Sequence, residues 1–358
     1  MNRRLAAVLA ISLLAPACTE DAAPPNEAPQ PAAAPAPAPE PTATAAAAPP
    51  APPEPTPEEK KKMEAAKELA ADRAKWEAAH KAEAARWTPE LHAAVKPLAE
   101  KSYPSGKAAL TAVLAGKQRS AADAARDKYR HPAETLAFFG FSPTMTVLDI
   151  GPGEGWYTEI LAPALAKKGH YIATNGDPNG PADQRSTFYA QRFKAFVDLS
   201  PELYGKVETV LVDANAPKLP MEKKLDMALI MRGVHGMVSH GVFDQWLAEI
   251  HKALKPGGVL GIEEHRAPAG ADPVASSKKG YVPEAYVIQK AEAAGFKLAG
   301  KSEINANPKD TKDYPEGVWS LPPTYREGDK NHDKYAAIGE SDRMTLKFVS
   351  VAPPKPKK

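Results

Sequence analysis

The chain has 358 residues, and its 46 Lys and Arg residues nearly balance 44 Asp and Glu residues, which leaves a formal net charge of +2. Apart from the short tail at 353–358 the charges show no basic face. Nucleic-acid binding is therefore not expected, because recognition of a phosphate backbone needs a concentrated positive patch. The single cysteine excludes a disulfide within the chain, so the fold must be stabilised by packing.

The N-terminal segment has the layout of a secretory signal. Arg3 and Arg4 precede the apolar run Leu5–Leu14, which is well short of the roughly 20 residues that span a bilayer. Small residues then lead to Cys18, whose context resembles the lipidated cysteine of bacterial lipoproteins. We therefore expect a lipoprotein-type signal at 1–18, export, and a lipid anchor in the bacterial cell envelope, facing the periplasm. An ordinary cleaved signal with an incidental cysteine is the alternative.

Residues 19–57 are dominated by proline and alanine. They cannot bury enough apolar surface to offset the entropy lost on ordering, and a disordered linker is predicted. Such a tether suits a domain that is held away from a membrane.

A helical extension is predicted at 58–128. Thr56-Pro57-Glu58-Glu59 combines a capping threonine, a proline in the first turn and an acid three residues after the cap, which is typical of a helix start. The helix should continue to about Arg86 with most of its surface in solvent, and a coiled coil with a partner is the alternative. Thr88-Pro89-Glu90 begins a second helix, which Pro97 is expected to end or kink.

The most informative motif is a glycine-rich turn between a strand and a helix. Thr146–Ile150 is apolar and β-branched, as expected for a buried strand, and Trp156–Ala166 carries apolar side chains at helical spacing. The glycines of Gly151-Pro152-Gly153-Glu154-Gly155 let the backbone turn and approach a ligand without a Cβ in the way. A dinucleotide-binding turn would need a small residue where Trp156 stands, so an NAD-dependent enzyme is the weaker interpretation.

Four further apolar runs follow, and they alternate with helical segments. The runs are 171–174, 207–212, 225–231 and 255–262, and the clearest helical segment is 242–254. Alternating strands and helices pair in parallel through right-handed crossovers, which predicts an α/β fold. Two acids stand just after strands, Asp177 after the second and Asp213 after the third.

From about 129 to 349 the chain resembles a complete class I S-adenosylmethionine (SAM) dependent methyltransferase domain, chiefly through Val147–Gly155 and Lys255-Pro256-Gly257-Gly258. The resemblance implies a Rossmann-like fold, a seven-stranded and mostly parallel sheet with helices on both faces, and SAM as the cofactor. It places the domain at 129–351, with an insertion at about 305–342 before the last strand and a basic tail at 352–358. More narrowly, the chain resembles predicted bacterial methyltransferases that are often exported, through Arg126–Thr135, Gly153–Tyr157 and Glu340–Phe348.

The resemblance also implies which residues bind the cofactor. In this fold an acid near the end of the second strand binds the ribose hydroxyls, and an acid after the third strand accepts from the adenine amino group. The expected cofactor-binding residues are Asp149, Gly151, Gly153, Gly155, Asp177 and Asp213.

Two residues are predicted to be catalytic, because a base commonly follows the fourth or fifth strand at the crevice of such a sheet. His235 has a titration range that suits a base near neutral pH, and Glu264 follows the fifth strand. His235 could instead cap a helix or line the pocket, and one of the adjacent Glu263 and Glu264 must point away from the crevice. No metal site is predicted, because His131, His235 and His265 lack the spacing of metal-binding motifs.

The residues predicted to bind the substrate are Tyr129, Tyr157, His265, Asn305 and Asn307. Tyr129 lies in the segment before the first strand, which often folds over the SAM site in this fold. Tyr157 could face the donor or simply pack. Asn305 and Asn307 lie in the insertion, which suits a lid with polar and aromatic contacts or, alternatively, a surface ornament on the sheet edge.

Together these patterns predict an exported, lipid-anchored enzyme that transfers a methyl group from SAM to a small molecule or an envelope component. The alternative is a non-catalytic exported lipoprotein that uses the fold to bind a nucleoside-like small ligand. Export favours the alternative, because SAM is charged and is made in the cytoplasm. The intact glycine motif favours cofactor binding. The sequence identifies neither the acceptor nor the oligomeric state.

Overall fold

The computed structural model describes residues 54–351. The predicted signal at 1–18 with Cys18, nearly all of the 19–57 linker and the tail at 352–358 lie outside the described residues. Within the described part, no helix combines the length and the apolar character needed to cross a membrane.

A seven-stranded sheet forms the centre of the domain. Its strands are β1 Thr146–Ile150, β2 His170–Asn175, β3 Glu208–Leu211, β4 Leu225–Met231, β5 Leu254–His265, β6 Phe296–Ser302 and β7 Arg343–Ser350. They are arranged in the order β3-β2-β1-β4-β5-β7-β6. The first five strands pair in parallel, and β7 is antiparallel to both of its neighbours. The predicted Rossmann-like methyltransferase fold is confirmed.

The helices before β1 include those of the predicted extension at 58–128, and the other helices follow β1. They are α1 Pro57–Arg86, α2 Pro89–Glu100, α3 Gly106–Leu114, α4 Ala121–Ala124, α5 Asp127–Arg130, α6 Pro132–Phe139, α7 Thr158–Leu165, α8 Arg185–Asp198, α9 Pro201–Tyr204, α10 Val234–Ser239, α11 Phe243–Ala253, α12 Pro273–Ser277, α13 Glu284–Ala293 and α14 His332–Ile338. The insertion between β6 and β7 contains α14 and a short 3₁₀ helix at Gly317–Ser320.

The two faces of the sheet pack against separate apolar clusters. Successive side chains of a strand point to opposite faces, and β1 shows this alternation. Val147 packs in the cluster that contains Ile160 of α7, whereas Leu148 packs in the cluster that contains Leu247 of α11. Helices on both faces therefore bury the central strands, as their continuous apolar sequences require.

The first helix begins at the predicted capping box, in which the Thr56 side chain accepts from the backbone N of Glu59. Most of α1 is exposed, as expected for a helix in solvent, but one side of it packs on α8. Leu69 is buried, and the Trp76 ring lies edge-on to Phe188 with centroids 5.8 Å apart. The sparse apolar stripe of α1 thus packs against α8 of the same chain.

Pro97 was predicted to end or kink the second helix, and it does not end it, because α2 continues to Glu100. Proline removes one backbone donor from the helix. Its carbonyl still accepts from the backbone N of Lys101 at 3.1 Å, so the last turn closes normally.

Buried ion pairs fix the segment before β1 to the start of β7. Glu340 is 4% exposed and binds three guanidinium groups. Its carboxylate lies 3.2 Å from Arg126 Nε, 2.9 Å from Arg130 Nε and 2.7 Å from Arg343 Nη1. Arg343 also donates to the backbone carbonyl of Tyr129. These contacts hold the 126–130 segment at the edge of the sheet where the parallel strands end.

Candidate active site

The candidate site lies at the carboxyl ends of the parallel strands. In open α/β sheets, ligands bind in the crevice at this edge. The glycine turn follows β1, Asn175 ends β2, Asp213 follows β3, His235 follows β4, and Glu264 lies near the end of β5. The fold therefore gathers most of the predicted site residues along one edge.

The glycine turn between β1 and α7 leaves two of its glycines facing open space. Gly151, Gly153 and Gly155 have φ angles of +65°, +63° and +90°, in the region that favours glycine. A Cβ added at Gly151 or Gly153 would meet no atom within 4 Å, whereas one added at Gly155 would lie 2.5 Å from the Phe196 ring. Gly151 and Gly153 form an open cradle, and Gly155 allows close packing against α8.

Asp149 supports this turn from within the protein. It is 1% exposed, and its carboxylate accepts a 2.8 Å hydrogen bond from the hydroxyl of Tyr171, which also lies 2.8 Å from Thr158 Oγ1. Burial raises the pKa of Asp149 to about 6, although the bond from Tyr171 opposes this. The carboxyl group thus joins β1, β2 and α7, and its direct contact with a cofactor stays a prediction.

The two acids predicted to bind the nucleoside are both exposed. Asp177 Oδ1 accepts from the backbone N of Asn179 at 2.8 Å, and Asp213 Oδ1 accepts from the backbone N of Asn215 at 2.9 Å. Each carboxylate therefore orders its own turn. Both side chains also stand at the ligand-binding edge of the sheet. Their roles in cofactor binding stay predictions.

Asn175 ends β2, two residues before Asp177, the acid that was predicted to bind the ribose. Its Oδ1 accepts from the backbone N of Gly176 at 3.0 Å. Its backbone carbonyl accepts from Val212 N at 2.8 Å, which aligns the end of β2 with the residue before Asp213. An amide both donates to and accepts from hydroxyl groups. Asn175 is therefore a further candidate ribose ligand, which a search for acids alone does not find.

The two predicted catalytic residues form a hydrogen-bonded pair between the ends of β4 and β5. Glu264 is fully buried. Its Oε2 accepts from the backbone N of His235 at 3.1 Å, and its Oε1 lies 3.0 Å from His235 Nδ1. Burial lowers the pKa of His235, but the Glu264 carboxylate outweighs burial, and the net pKa lies above the ordinary value of 6.5. With Nδ1 engaged by Glu264, Nε2 is the nitrogen left for a ligand.

His265 lies beside this pair, with its ring centroid 5.6 Å from that of His235 and its Nδ1 2.5 Å from Ser341 Oγ. Burial and the charge of His235 hold the pKa of His265 well below its usual value, so its imidazole is neutral. His235, Glu264 and His265 offer ligand atoms within 4.8 Å of one another, a donor set for a cation that the sequence spacing did not reveal. Glu264, however, already accepts hydrogen bonds from three N–H groups, including His265 N at 2.8 Å. Its carboxylate is therefore engaged by donors, which favours a role of this group in proton transfer over a role as a cation ligand.

Glu263 points to the opposite face from Glu264, as the alternation along β5 requires. It is fully buried and lies 2.7 Å from Arg343 Nε and 3.1 Å from Arg232 Nη1. Tyr157 donates its hydroxyl to Glu263 at 3.4 Å and is only 3% exposed. Tyr157 therefore packs under the site. A direct contact between Tyr157 and a substrate stays a prediction.

Three of the residues predicted to bind the substrate, Tyr129, Asn305 and Asn307, line a cleft of about 240 Å³. The amide of Asn307 is already engaged, since it donates to backbone carbonyls that include that of Glu340. Asn305 Nδ2 donates to Thr345 Oγ1 at 3.0 Å. Within residues 54–351, no donor reaches the buried Oδ1 of Asn305. A contact between Asn305 and a substrate stays a prediction.

The insertion contributes residues that the sequence did not single out as site residues. The Trp319 ring lies 5.9 Å from that of His235, nearly perpendicular to it. Ser341 orients His265. The insertion thus walls the His235–Glu264 pair and brings an aromatic surface to it, which agrees with the expected lid more closely than with a surface ornament.

A family model described as a methyltransferase domain matches residues 148–262. The matched span runs from β1 into β5, and it contains the glycine turn and His235. The strand order of the sheet, with its antiparallel β7, is the order that this fold requires. Residues 148–262 thus match a methyltransferase domain, and the described chain has the Rossmann-like fold of the class I SAM-dependent methyltransferases.

Three solved structures are similar to this chain. A SAM-dependent methyltransferase from Aquifex aeolicus is 19% identical, with 63% of this chain and 93% of that chain covered and a TM-score of 0.43. The [4+2]-cyclase SpnF is 16% identical, with 71% and 99% covered and a TM-score of 0.46. A 1,6-didemethyltoxoflavin-N1-methyltransferase from Burkholderia thailandensis is 18% identical, with 63% and 78% covered and a TM-score of 0.35. No curated protein sequence matches the chain.

The residues of the glycine turn fit SAM as the cofactor. Gly151 and Gly153 leave a cradle that any Cβ would begin to fill, and Asn175 and Asp213 stand at the next strand ends, where a nucleoside would lie. When bound, SAM supplies a methyl group on a sulfonium ion, which is an electrophile. The methyltransferase must hold that methyl group in line with the acceptor.

Gly153→Ala is expected to weaken the binding of S-adenosylhomocysteine by on the order of tenfold or more, or at least about 1.4 kcal/mol, because its methyl group enters the cradle. Gly328→Ala is the matched control, since Gly328 also has a φ of +63° and open surroundings. Both variants carry the same backbone strain of roughly 1–2 kcal/mol. Calorimetric titration measures the affinity, and thermal melts measure the strain. Equal affinities in the two variants would contradict the cradle.

Asp149→Asn is expected to be more stable than the wild type at neutral pH but not in acid. The pKa of Asp149 is raised on folding, so wild-type stability falls as pH rises from about 4 to about 6. A difference between 3.8 and about 6 corresponds to at most about 3 kcal/mol. Asparagine cannot ionise and still accepts from Tyr171. Urea unfolding as a function of pH measures the difference, with exposed Asp213→Asn as the control. Parallel pH profiles for wild type and Asp149→Asn would show that the prediction is wrong.

Proposed function

We propose that this methyltransferase transfers the methyl group of SAM to a protic group of a small molecule or an envelope component, with His235 as the general base. The observation that carries the proposal is the His235–Glu264 hydrogen bond of 3.0 Å at the carboxyl ends of β4 and β5. Holding two reactants in line contributes up to roughly 7–11 kcal/mol to such a reaction. A base adds to this where the acceptor must lose a proton.

In this proposal, His235 and Glu264 have different roles. Glu264 accepts a hydrogen bond from Nδ1–H of His235, which fixes the tautomer and leaves the lone pair on Nε2, as in a catalytic triad. Nε2 then takes the proton of the acceptor while the acceptor attacks the methyl group. The buried Glu264 carboxylate stabilises the imidazolium that forms. Neutral His265, oriented by Ser341, forms an uncharged wall beside the acceptor.

His235→Gln is expected to slow turnover by on the order of 10²–10⁴ without changing the affinity for SAM, because it removes the proton acceptor and leaves the glycine cradle intact. S-adenosylhomocysteine release is measured with an acceptor found by screening small molecules and envelope extracts. His240→Gln is the control, since exposed His240 contacts only the Gly236 carbonyl at 2.8 Å and Ser239 Oγ at 3.2 Å among the hydrogen bonds within the described residues. A parallel loss of SAM affinity in His235→Gln would assign it to the pocket wall.

The pH profile separates a base from a structural residue. His235 must be unprotonated to act, so the rate should rise with pH through its pKa, which Glu264 holds above 6.5. In Glu264→Gln the carboxylate that raises this pKa is lost, so the rising limb should move to lower pH while the maximum rate falls. If the rising limb of the pH–rate profile lies at the same pH in the wild type and in Glu264→Gln, His235 is excluded as the titrating group.

We also infer that the enzyme is exported and lipid-anchored through Cys18. The support is the sequence alone, because Cys18 lies outside the described residues. Two arginines, a short apolar run and small residues precede the single cysteine. A lipid-anchored enzyme at the periplasmic face would act on a molecule of the envelope or on one that crosses it.

Cys18→Ser is expected to move the protein from the membrane fraction to the soluble fraction, because serine offers no thiol for lipid attachment. Thr19→Ser is the matched control, since it changes the neighbouring residue and keeps the cysteine. Immunoblots of separated membrane and soluble fractions measure the distribution. A Cys18→Ser protein that stays in the membrane fraction would contradict anchoring by this residue.

A further inference from the structure

We propose that Arg126 and Arg232 bind an anionic group of the methyl acceptor, a carboxylate or a phosphate, beside His235. The inference rests on the proposed function, because it names the chemical class of the acceptor at the same site. Guanidinium groups suit this task, since their planar fork matches the oxygens of carboxylate and phosphate.

The first support is the way the guanidinium groups share carboxylates in buried ion pairs. Four guanidinium groups share the two carboxylates of Glu340 and Glu263 in ion pairs of 2.7–3.2 Å. Both carboxylates are almost fully buried, so water compensates them little. The four guanidinium groups belong to Arg126, Arg130, Arg232 and Arg343. Three further carboxylates act from a longer distance, Asp123 on Arg126 and Asp149 and Glu264 on Arg232, since within residues 54–351 none of them forms an ion pair with these arginines.

The second support is the set of unused donors. Arg126 donates only through Nε, to Glu340 at 3.2 Å, and the Arg232 side chain donates only through Nη1, to Glu263 at 3.1 Å, among the contacts within the described residues. The Arg126 and Arg232 side chains are 26% and 17% exposed. Arg130 and Arg343, by contrast, are nearly enclosed. The remaining N–H groups of Arg126 and Arg232 are therefore available to a ligand.

The electrostatics agree with this geometry. Burial lowers the pKa of Arg126, and Glu340 does not restore it fully because the charge of Arg232 also acts to lower it. The two guanidinium groups thus lie close enough to repel each other at a site from which water is partly excluded. An anion between them would remove this repulsion.

The location connects the arginines to the chemistry. Arg232 follows β4 directly, has a φ of +58° and lies three residues before His235. Its guanidinium carbon lies 5.9 Å from the centre of the Tyr157 ring, at the end of the glycine turn. Its charge also acts to lower the pKa of His235. An anion held here would lie between the cofactor cradle and the base.

Inorganic phosphate is the probe for the test. Calorimetric titration at constant ionic strength compares the wild type with Arg126→Gln, Arg126→Lys and Arg232→Gln. Loss of charge-assisted hydrogen bonds should weaken phosphate binding by on the order of tenfold in the glutamine variants and less in Arg126→Lys. Arg185→Gln is the control, because it removes a guanidinium group that pairs with Asp72 on the α1–α8 surface. Equal phosphate affinity in all variants, or no binding by the wild type, would overturn the proposal.

A second titration distinguishes the acceptor from the cofactor as the source of the anion. S-adenosylhomocysteine carries a carboxylate, and methylthioadenosine lacks the whole amino-acid end. Unchanged affinity for both in Arg126→Gln, together with weakened phosphate binding, supports an anionic acceptor. A loss of affinity for S-adenosylhomocysteine alone would overturn the proposal, because the arginines would then bind the cofactor. If phosphate binds at the arginines but neither nucleoside binds, the proposed methyl transfer fails and the anion site stands.

Discussion

The arrangement of the site depends on the ion pairs of Glu340. One buried carboxylate binds guanidinium groups from the segment before β1 and from β7 itself. Leaving a buried charge without its partner costs about 3–5 kcal/mol, so the carboxylate and the arginines must stay together. Because they do, residues far apart in the chain are fixed beside the carboxyl ends of the parallel strands. Within the ion pairs of Glu340 and Glu263, four guanidinium groups share two carboxylates, so some guanidinium N–H groups stay available to an anionic ligand.

The sheet could be predicted from the sequence because its strands are buried on both faces and are bounded by turn residues. Thr146–Ile150 and Leu225–Met231 were both predicted with their observed bounds. The strand ends were less clear where the local pattern does not change. The fifth strand extends to His265, past the apolar run at 255–262 and through Glu263 and Glu264, because partners on β7 pair with these polar residues. Such pairing over long sequence distances is not visible in a local pattern.

The site was predictable where its chemistry is local and was missed where it depends on distant partners. The open cradle at Gly151 and Gly153 follows from the motif itself. His235 and Glu264 were predicted separately, but only the fold shows that they bond to each other across 29 positions. Asn175 was overlooked because an acid was sought near the end of β2, and Asp177 was the acid found there. The capacity of Arg126 to bind a ligand depends on how the Glu340 carboxylate is shared among three arginines. The spacing of these residues in the sequence does not reveal that sharing.

Arg232 and Glu264 act on the same imidazole with opposite signs. Glu264 raises the pKa of His235, whereas Arg232 lowers it. An anionic acceptor bound to Arg232 would neutralise the lowering effect, so His235 would become more basic when the acceptor is present. The proton acceptor would then be strongest in the complex that needs it, and weaker in the free enzyme. Attraction of the acceptor and activation of the base would therefore follow from one guanidinium group, placed three residues before the histidine that it controls.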